Sequence, residues 1–345
     1  MQAKKIESVA DRDYDFREHL KTNADNGGQY RLSTISAAML ATTIFQPISF
    51  VVPRYIAAGL TLLAGRPKAG KSWLALNIGL AIADGGTVLG VNAVQGDVLY
   101  LALEDNERRL QERMNQLVPF DEKPACLHFA TECKRLDKGG LDAIENWCGG
   151  AANPRCVIVD VFGRIRADRR KDEGHYDYDY RTASPLKALA DRLGIAVIII
   201  HHTSKRKDID DPLDAVSSTT GLTGAADTTL VLAKGPQGPT LYGRGRDIRE
   251  IETALHFDMA RGFWTALGNA SEVRRTDERK TILDVLVAAE EALSPTEIAK
   301  EARMKGDNVR QLLKKMVKAG EVVKAKRAKY LHPDYAGDDE QQDEL

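Results

Sequence analysis

Leu60-Thr61-Leu62-Leu63-Ala64-Gly65-Arg66-Pro67-Lys68-Ala69-Gly70-Lys71-Ser72 is an apolar run that passes directly into the pattern G-x-x-x-x-G-K-S. Leu60 to Ala64 reads as a buried parallel strand. Trp73, Leu74, Leu76, Ile78, Leu80, Ala81 and Ile82 then predict a helix that is apolar over most of its surface and stopped by Asp84-Gly85-Gly86. In such a strand, loop and helix the glycines let the main chain wrap a polyphosphate with successive N–H groups turned inward. Gly65, Arg66, Pro67, Lys68, Ala69, Gly70, Lys71, Ser72 and Trp73 are therefore the expected nucleotide-binding residues. Lys71 is placed to reach the β- and γ-phosphates and Ser72 to offer a hydroxyl to Mg²⁺, while the following helix points its positive end at the same anion.

Outward from this stretch, strand-like and helix-like patterns alternate as a parallel sheet requires. Strand-like runs cover Asp97 to Leu103, Leu127 to Thr131, Cys156 to Phe162 and Ala196 to His202; helical patterns lie near Asn106 to Leu117, Leu141 to Trp147 and Tyr180 to Leu193. Several of these runs end in polar residues suited to triphosphate cleavage: Glu104-Asp105, Asp160 and His201-His202. Parallel sheets bind ligands at the carboxyl ends of their strands, so this coincidence of position says more than any one of the motifs.

Cleaving a γ-phosphoryl group with water takes charge neutralisation, a magnesium ion and a group that orients the water. Asp160, after Cys156-Val157-Ile158-Val159, fits the role of holding Mg²⁺ together with Ser72. Glu104 is a candidate general base; the alternative is that Glu104 and Asp105 simply favour the N-terminus of the helix bearing Arg108, Arg109 and Arg113. His201 and His202 are candidates for sensing the γ-phosphate, against the plainer reading of satisfied strand-end histidines. Arg244 and Arg246 flank Gly245 and are candidates for an arginine finger serving a neighbouring subunit; alternation would place both on one face, as it would for a solvated basic edge.

Beyond Thr203, Ser204 to Thr220 is too long and polar for an ordinary connection and is a candidate functional loop. Its Lys205, Arg206 and Lys207 are candidates for gripping the phosphates of a single strand, weakened by Asp208, Asp210, Asp211 and Asp214. Thr228 to Ala233, Thr240 to Arg246, Leu255 to Phe257 and Phe263-Trp264-Thr265 predict strands that extend the sheet edge. The expected organisation is an N-terminal arm over 1–35, an ATPase domain over 36–267, a linker over 268–276, a small domain over 277–333 and an acidic tail over 334–345.

In the small domain a helix from about Asp277 to Glu291 precedes Ser294-Pro295-Thr296-Glu297, a capping box with proline at the first helical position. A second helix from Gly306 to Ala319 and two short strands around a basic turn complete the order of a winged helix-turn-helix. The basic residues here can neutralise DNA phosphates, with Asn308, Arg310 and Gln311 reaching base edges and Lys314, Lys315, Lys326, Arg327 and Lys329 on phosphate; the alternative is a solvated face of a protein-docking module.

The 345 residues suffice for one large α/β domain and a smaller one, and the formal net charge of -1 confines any nucleic-acid contact to local basic patches. Cys126, Cys133, Cys148 and Cys156 form no C-x-x-C pair and no pattern with histidine, which argues against zinc or a disulfide framework. The first residues lack an apolar leader and no run approaches membrane-spanning length, so a cytoplasmic protein without membrane contact is expected.

The phosphate loop with Trp73-Leu74-Ala75-Leu76, and Gly96-Asp97-Val98-Leu99-Tyr100-Leu101-Ala102-Leu103-Glu104-Asp105 with Arg108-Arg109-Leu110-Gln111-Glu112-Arg113, resembles the RecA-like ATPases of the RepA replicative helicase family of plasmids, phages and integrated elements. The likeness runs from about Pro47 to Leu267. It implies a RecA-like α/β core, ATP and Mg²⁺ as cofactors, a ring, commonly a hexamer, with ATP at subunit interfaces, and movement on single-stranded DNA. It further implies Glu104 as catalytic glutamate, Asp160 as the Walker B aspartate, His201-His202-Thr203 as the γ-phosphate sensor, Arg113 as an arginine contacting the active site and Arg246, or Arg244, as the finger. The added basic module departs from compact members of that family. It leaves a second class open, an ATP-switched DNA-binding initiator, loader or regulator that does not unwind, and replication-initiation proteins among the expected partners.

Overall fold

The computed structural model describes residues 34–45, 47–119, 122–203, 212–213, 216, 221–235, 238–289, 291–325 and 328–335. Most of the expected N-terminal arm, Lys205, Arg206 and Lys207 with the acidic residues after them, Lys326, Arg327 and most of the acidic tail lie outside the described residues. The described residues up to Ile48 belong to a unit of their own. Within it α1 (Ala37–Thr42) is capped by the Ser36 hydroxyl, which accepts the Met39 N–H at 3.2 Å.

From Ser49 onward, β1 (Phe50–Val52) and β2 (Ile56–Ala57) form a small antiparallel pair ahead of β3 (Gly59–Gly65), which is buried along its whole length. The phosphate loop leads into α2 (Lys71–Asp84), started at Gly70 and stopped at Gly85, both in the left-handed region that glycine adopts most readily. After the short pair β4 (Thr87–Val88) and β5 (Val91–Asn92) come β6 (Asp97–Ala102), α3 (Glu107–Leu117), β7 (Leu127–Ala130), α4 (Gly140–Gly150) and β8 (Pro154–Asp160). Then follow α5 (His175–Leu193), β9 (Ala196–His202), α6 (Gly221–Ala225), β10 (Thr228–Gly235), β11 (Gly238–Gly245), β12 (Ile251–Asp258) and β13 (Phe263–Asn269).

Nine of these strands build one sheet in the order β13-β12-β11-β10-β3-β9-β8-β6-β7. The strands from β10 to β7 in that order run parallel, and β11, β12 and β13 extend the edge antiparallel, matching the α/β class and the edge extension expected from the pattern. Period-two alternation divides the core into two halves. Leu63, Tyr100, Ile158, Ile198 and Leu230 face α2, while Leu62, Leu101, Val159, Ile199 and Val231 pack with α4 and α5 on the other side.

Several element boundaries differ from the sequence reading, β12 and β13 running longer than expected, and two of the differences bear on the site and its surroundings. α5 begins at His175, not near Tyr180, because Asp179, Thr182 and Ala183 supply its buried face and the alternating His-Tyr-Asp-Tyr-Asp-Tyr start conceals a helical period. More consequential, residues 270–276 are not linker: α7 (Ala270–Ala289) starts directly after β13 and runs into the C-terminal segment. There α8 (Pro295–Glu301), α9 (Gly306–Lys318) and the antiparallel pair β14 (Val323–Ala325) and β15 (Lys329–Leu331) pack on α7 around a separate core of Ile282, Leu286, Ile298, Val309, Leu313, Met316 and Val322. The capping box at Ser294 and Glu297 forms as read. Among the described residues no helix is long and apolar enough to cross a membrane.

Candidate functional site

The phosphate loop spans Gly65 to Gly70 at the carboxyl end of the central strand β3, where β9 and β10 flank it. A Cβ on Gly65 would lie 2.5 Å from the Leu232 carbonyl oxygen and 3.4 Å from the Lys71 side chain, so the loop backbone runs tight against its neighbours. Lys68 takes a positive φ of 63° within the loop. Lys71 is 3 % exposed, and its ammonium donates to the carbonyls of Gly65 and Arg66, each at 2.9 Å, and to His202 Nδ1 at 3.0 Å. Burial pulls its pKa down to about 8, against the opposing pull of the Asp160 and Glu104 carboxylates. The cradle thus holds a buried cation whose partners are the loop's own carbonyls and a neutral ring, a set that a polyphosphate can replace.

Asp160 ends β8 one strand beyond β9, 6 % exposed, and accepts the Tyr100 hydroxyl at 2.8 Å. Burial raises its carboxyl pKa, with hydrogen bonds from Tyr100 and Ser72 working the other way. The structure therefore brings Ser72, Asp160 and Lys71 together, as the sequence reading required. Among the described residues no cluster of three or more His, Cys, Asp or Glu could hold a metal. A serine hydroxyl with one carboxylate suits Mg²⁺, which completes its shell with water and phosphate oxygens.

Glu104, just past β6, is exposed, lies 3.6 Å from Arg164 Nε and is near enough to Lys71 and His202 for its charge to oppose the burial that lowers both their pKa values. Its neighbour Asp105 turns away to accept Arg109 at 2.9 Å and Arg113 at 2.5 Å. Arg113, expected to contact the active site, is held in this chain by Asp105 and lies over the Trp73 ring at 5.3 Å. Asp105 thus braces α3, while Glu104 pairs with Arg164 within electrostatic reach of Lys71 and His202.

His202 ends β9 beside Lys71, whose charge adds to burial in depressing its pKa. His201 points to the other face, where burial first and the Arg166 charge second bring its pKa to about 4, so it is neutral at physiological pH. Arg166 pairs with the buried Asp179 and lies 4.1 Å from the Tyr178 ring centroid. The two histidines therefore occupy different environments; only His202 touches the phosphate-loop lysine.

Arg244 and Arg246 are not near the phosphate loop of their own chain. Arg244 is in register with Thr229, which is in register with Leu62, three residues or roughly 10 Å before the loop begins. Arg246 lies past the end of β11, so strand alternation does not relate the pair. Both line a hollow with Asp227, whose buried carboxylate accepts the Leu60 N–H at 2.9 Å and Lys187 at 3.0 Å and stands 3.6 Å from Arg246; Arg244 pairs with Glu250 at 2.8 Å.

In the C-terminal segment Arg310, Gln311, Lys314 and Lys315 lie exposed along α9, with Arg310 2.7 Å from Asp307. Asn308 is turned inward and donates to Glu278 at 3.0 Å, which removes it from the exposed face expected of it. Lys329 is half-buried on β15.

Sequence reasoning missed Tyr100, Asn77 and Trp264, all of which touch the phosphate loop or the elements that carry it. Tyr100 reads as one more apolar strand residue, and Trp264 lies almost two hundred residues from the loop in sequence; no local pattern marks either.

The family model described as AAA domain matches residues 29–208. Among solved structures, the chain is similar to one described as an ATPase domain, at 15% identity and a TM-score of 0.49, covering 61% of this chain and 85% of that one. It is also similar to a DnaB-like replicative helicase described with its interactions with primase, at 15% identity and a TM-score of 0.47, covering 61% of this chain and 57% of that one.

Proposed function

The chain belongs to the AAA domain family, and on that premise we propose that it is an ATP-hydrolysing, ring-forming DNA motor, a RepA-like replicative helicase of a plasmid, phage or integrated element. The observation that carries the reading is the convergence of Lys71, Ser72, Asp160 and His202 at the carboxyl ends of adjacent parallel strands, with Glu104 within electrostatic reach. Lys71 exchanges its carbonyl partners for β- and γ-phosphate oxygens, and the N–H groups of the loop and of the first turn of α2 hold the rest of the anion. Ser72 and Asp160 would hold Mg²⁺, which would supply neutralisation of the phosphate charge. Glu104 orients and deprotonates the attacking water, and His202 registers loss of the γ-phosphate through its bond to Lys71.

Arg244 and Arg246 fit an interface role because they lie at the far end of the sheet from their own phosphate loop. In a head-to-tail ring that end meets the neighbour's nucleotide, and Arg246 is the preferred finger. Single-stranded DNA passes the loop carrying Lys205, Arg206 and Lys207, and the basic C-terminal segment, read as a winged helix, takes duplex DNA through Arg310, Gln311, Lys314 and Lys315. The separate core of that segment favours a second reading, an ATP-switched DNA-binding initiator, loader or regulator.

Strand displacement on forked DNA separates the two, with Lys71→Ala as control. ATP-dependent displacement that the Lys71→Ala chain loses, along with at least about 100-fold of its hydrolysis, is the expected result. Hydrolysis without displacement would support the switch, and wild-type hydrolysis in the Lys71→Ala chain would remove the site itself.

A further inference from the structure

The last glycine of the phosphate loop is held by a residue far along the chain. Trp264, the second residue of β13, is 6 % exposed, and its indole N–H donates to the Gly70 carbonyl at 3.1 Å. Its backbone N–H donates to the Asn77 side-chain oxygen at 2.8 Å, and Asn77 in turn donates to the Gly262 carbonyl at 3.1 Å. The fit is close on both sides. Gly70 has φ +95°, and a Cβ there would stand 2.6 Å from the Trp264 ring; Gly262 has φ +71°, and a Cβ there would stand 2.5 Å from the Trp73 ring. The β12–β13 hairpin therefore interlocks with the phosphate loop and α2. Trp264 lies beyond the residues that the family model matches.

The same strand leads straight to the C-terminal segment. β13 ends at Asn269 and α7 begins at Ala270; Arg274 near its start pairs with Glu252 of β12, and Ile282 and Leu286 further along are fully buried in the separate C-terminal core. From the Gly70 carbonyl to that core the path is one hydrogen bond, one strand and one helix. At its origin Lys71 is bonded to the Gly65 and Arg66 carbonyls and to His202, the partners that a phosphate in the proposed site would replace.

We propose that Trp264 is a positioning residue for the phosphate loop and couples nucleotide occupancy to the C-terminal segment through α7. The inference rests on the reading of that loop as the ATP site. When the ligand draws the loop N–H groups inward and Lys71 leaves the carbonyls of Gly65 and Arg66, the loop shifts at Gly70, and Trp264 follows its carbonyl. Close packing passes the shift along β13 rather than absorbing it.

The test is Trp264→Phe in the full chain, which keeps an aromatic ring and deletes the donor. A fluorescent ATP analogue should bind about three- to tenfold more weakly. Wild-type protein should show a nucleotide-induced change in amide exchange over residues 270–289, and the variant should lose it at saturating analogue. Wild-type affinity with an intact exchange response in the variant would overturn the proposal, as would a wild-type chain that binds the analogue with no change in that helix. A wild-type chain that binds no analogue would instead remove the phosphate-loop reading beneath it. Should Trp264→Phe lose its near-UV circular dichroism, Glu252→Gln carries the test. It loosens α7 from β12, so the exchange response should shrink at unchanged analogue affinity, and a full response would overturn the coupling.

Discussion

His201 and His202 are adjacent in sequence, and their difference belongs to single residues. His202 shares a hydrogen bond with Lys71, whereas His201 is withdrawn beneath the sheet near the Arg166–Asp179 pair. With its folded pKa near 4 against an ordinary 6.5, His201 binds its proton later in the folded state than in the unfolded chain. As pH falls from about 6.5 toward 4, the unfolded chain is favoured and stability is lost; below 4 both states are protonated and the loss stops. Replacing His201 by Gln should therefore flatten the acid side of the stability profile by roughly 3 kcal/mol at most. Urea denaturation at pH 7 and pH 4.5 reads the difference, and parallel profiles for the two chains would contradict the assignment.

At the scale of elements, the start of α2 is set from two directions. The left-handed φ at Gly70 turns the chain into the helix, and the Trp264 ring occupies the place of a side chain there. Gly70→Ala meets both obstacles and should destabilise the protein by about 2 kcal/mol or more, with analogue binding weakened in step. Chemical denaturation alongside a nucleotide titration checks both; a stable variant with normal binding would mean that neither constraint is real. The carboxylates after β6 teach a similar lesson: the sequence leaves open whether Glu104 and Asp105 both serve the helix after them, and the placement of α3 puts Arg109 and Arg113 on Asp105.

At the scale of the whole molecule, α7 leads from the sheet to the C-terminal core, which among the described residues shares no buried residue with the packing on either face of the sheet. A chain ending at Thr276 keeps Arg274 on Glu252 and removes the C-terminal core entirely. It should hydrolyse ATP within about twofold of the full chain, lose DNA affinity and show a shallower dependence on salt, since Lys314, Lys315 and their neighbours no longer release counterions. Anisotropy of labelled DNA over a salt series, with phosphate release on the same samples, gives both numbers. Loss of hydrolysis in a folded truncated chain would make the C-terminal segment part of the motor.

The alternation of strand and helix, the strand, loop and helix around Gly65 to Gly70 and the capping box at Ser294 were legible in sequence because each is a local pattern: a period, a spacing or a cap that short stretches of chain determine; that His202 and not His201 meets Lys71 was not. The run of α7 through residues 270–276 was not, because charged residues there hide a helix that is held by β12 and β13. Tyr100 on Asp160, Trp264 on Gly70, Arg113 on Asp105 and the distance of Arg244 from the phosphate loop were decided only by tertiary structure. Each depends on strand order and register, which bring together residues that no local spacing connects, and on close packing, which settles which of two chemically similar side chains meets the site.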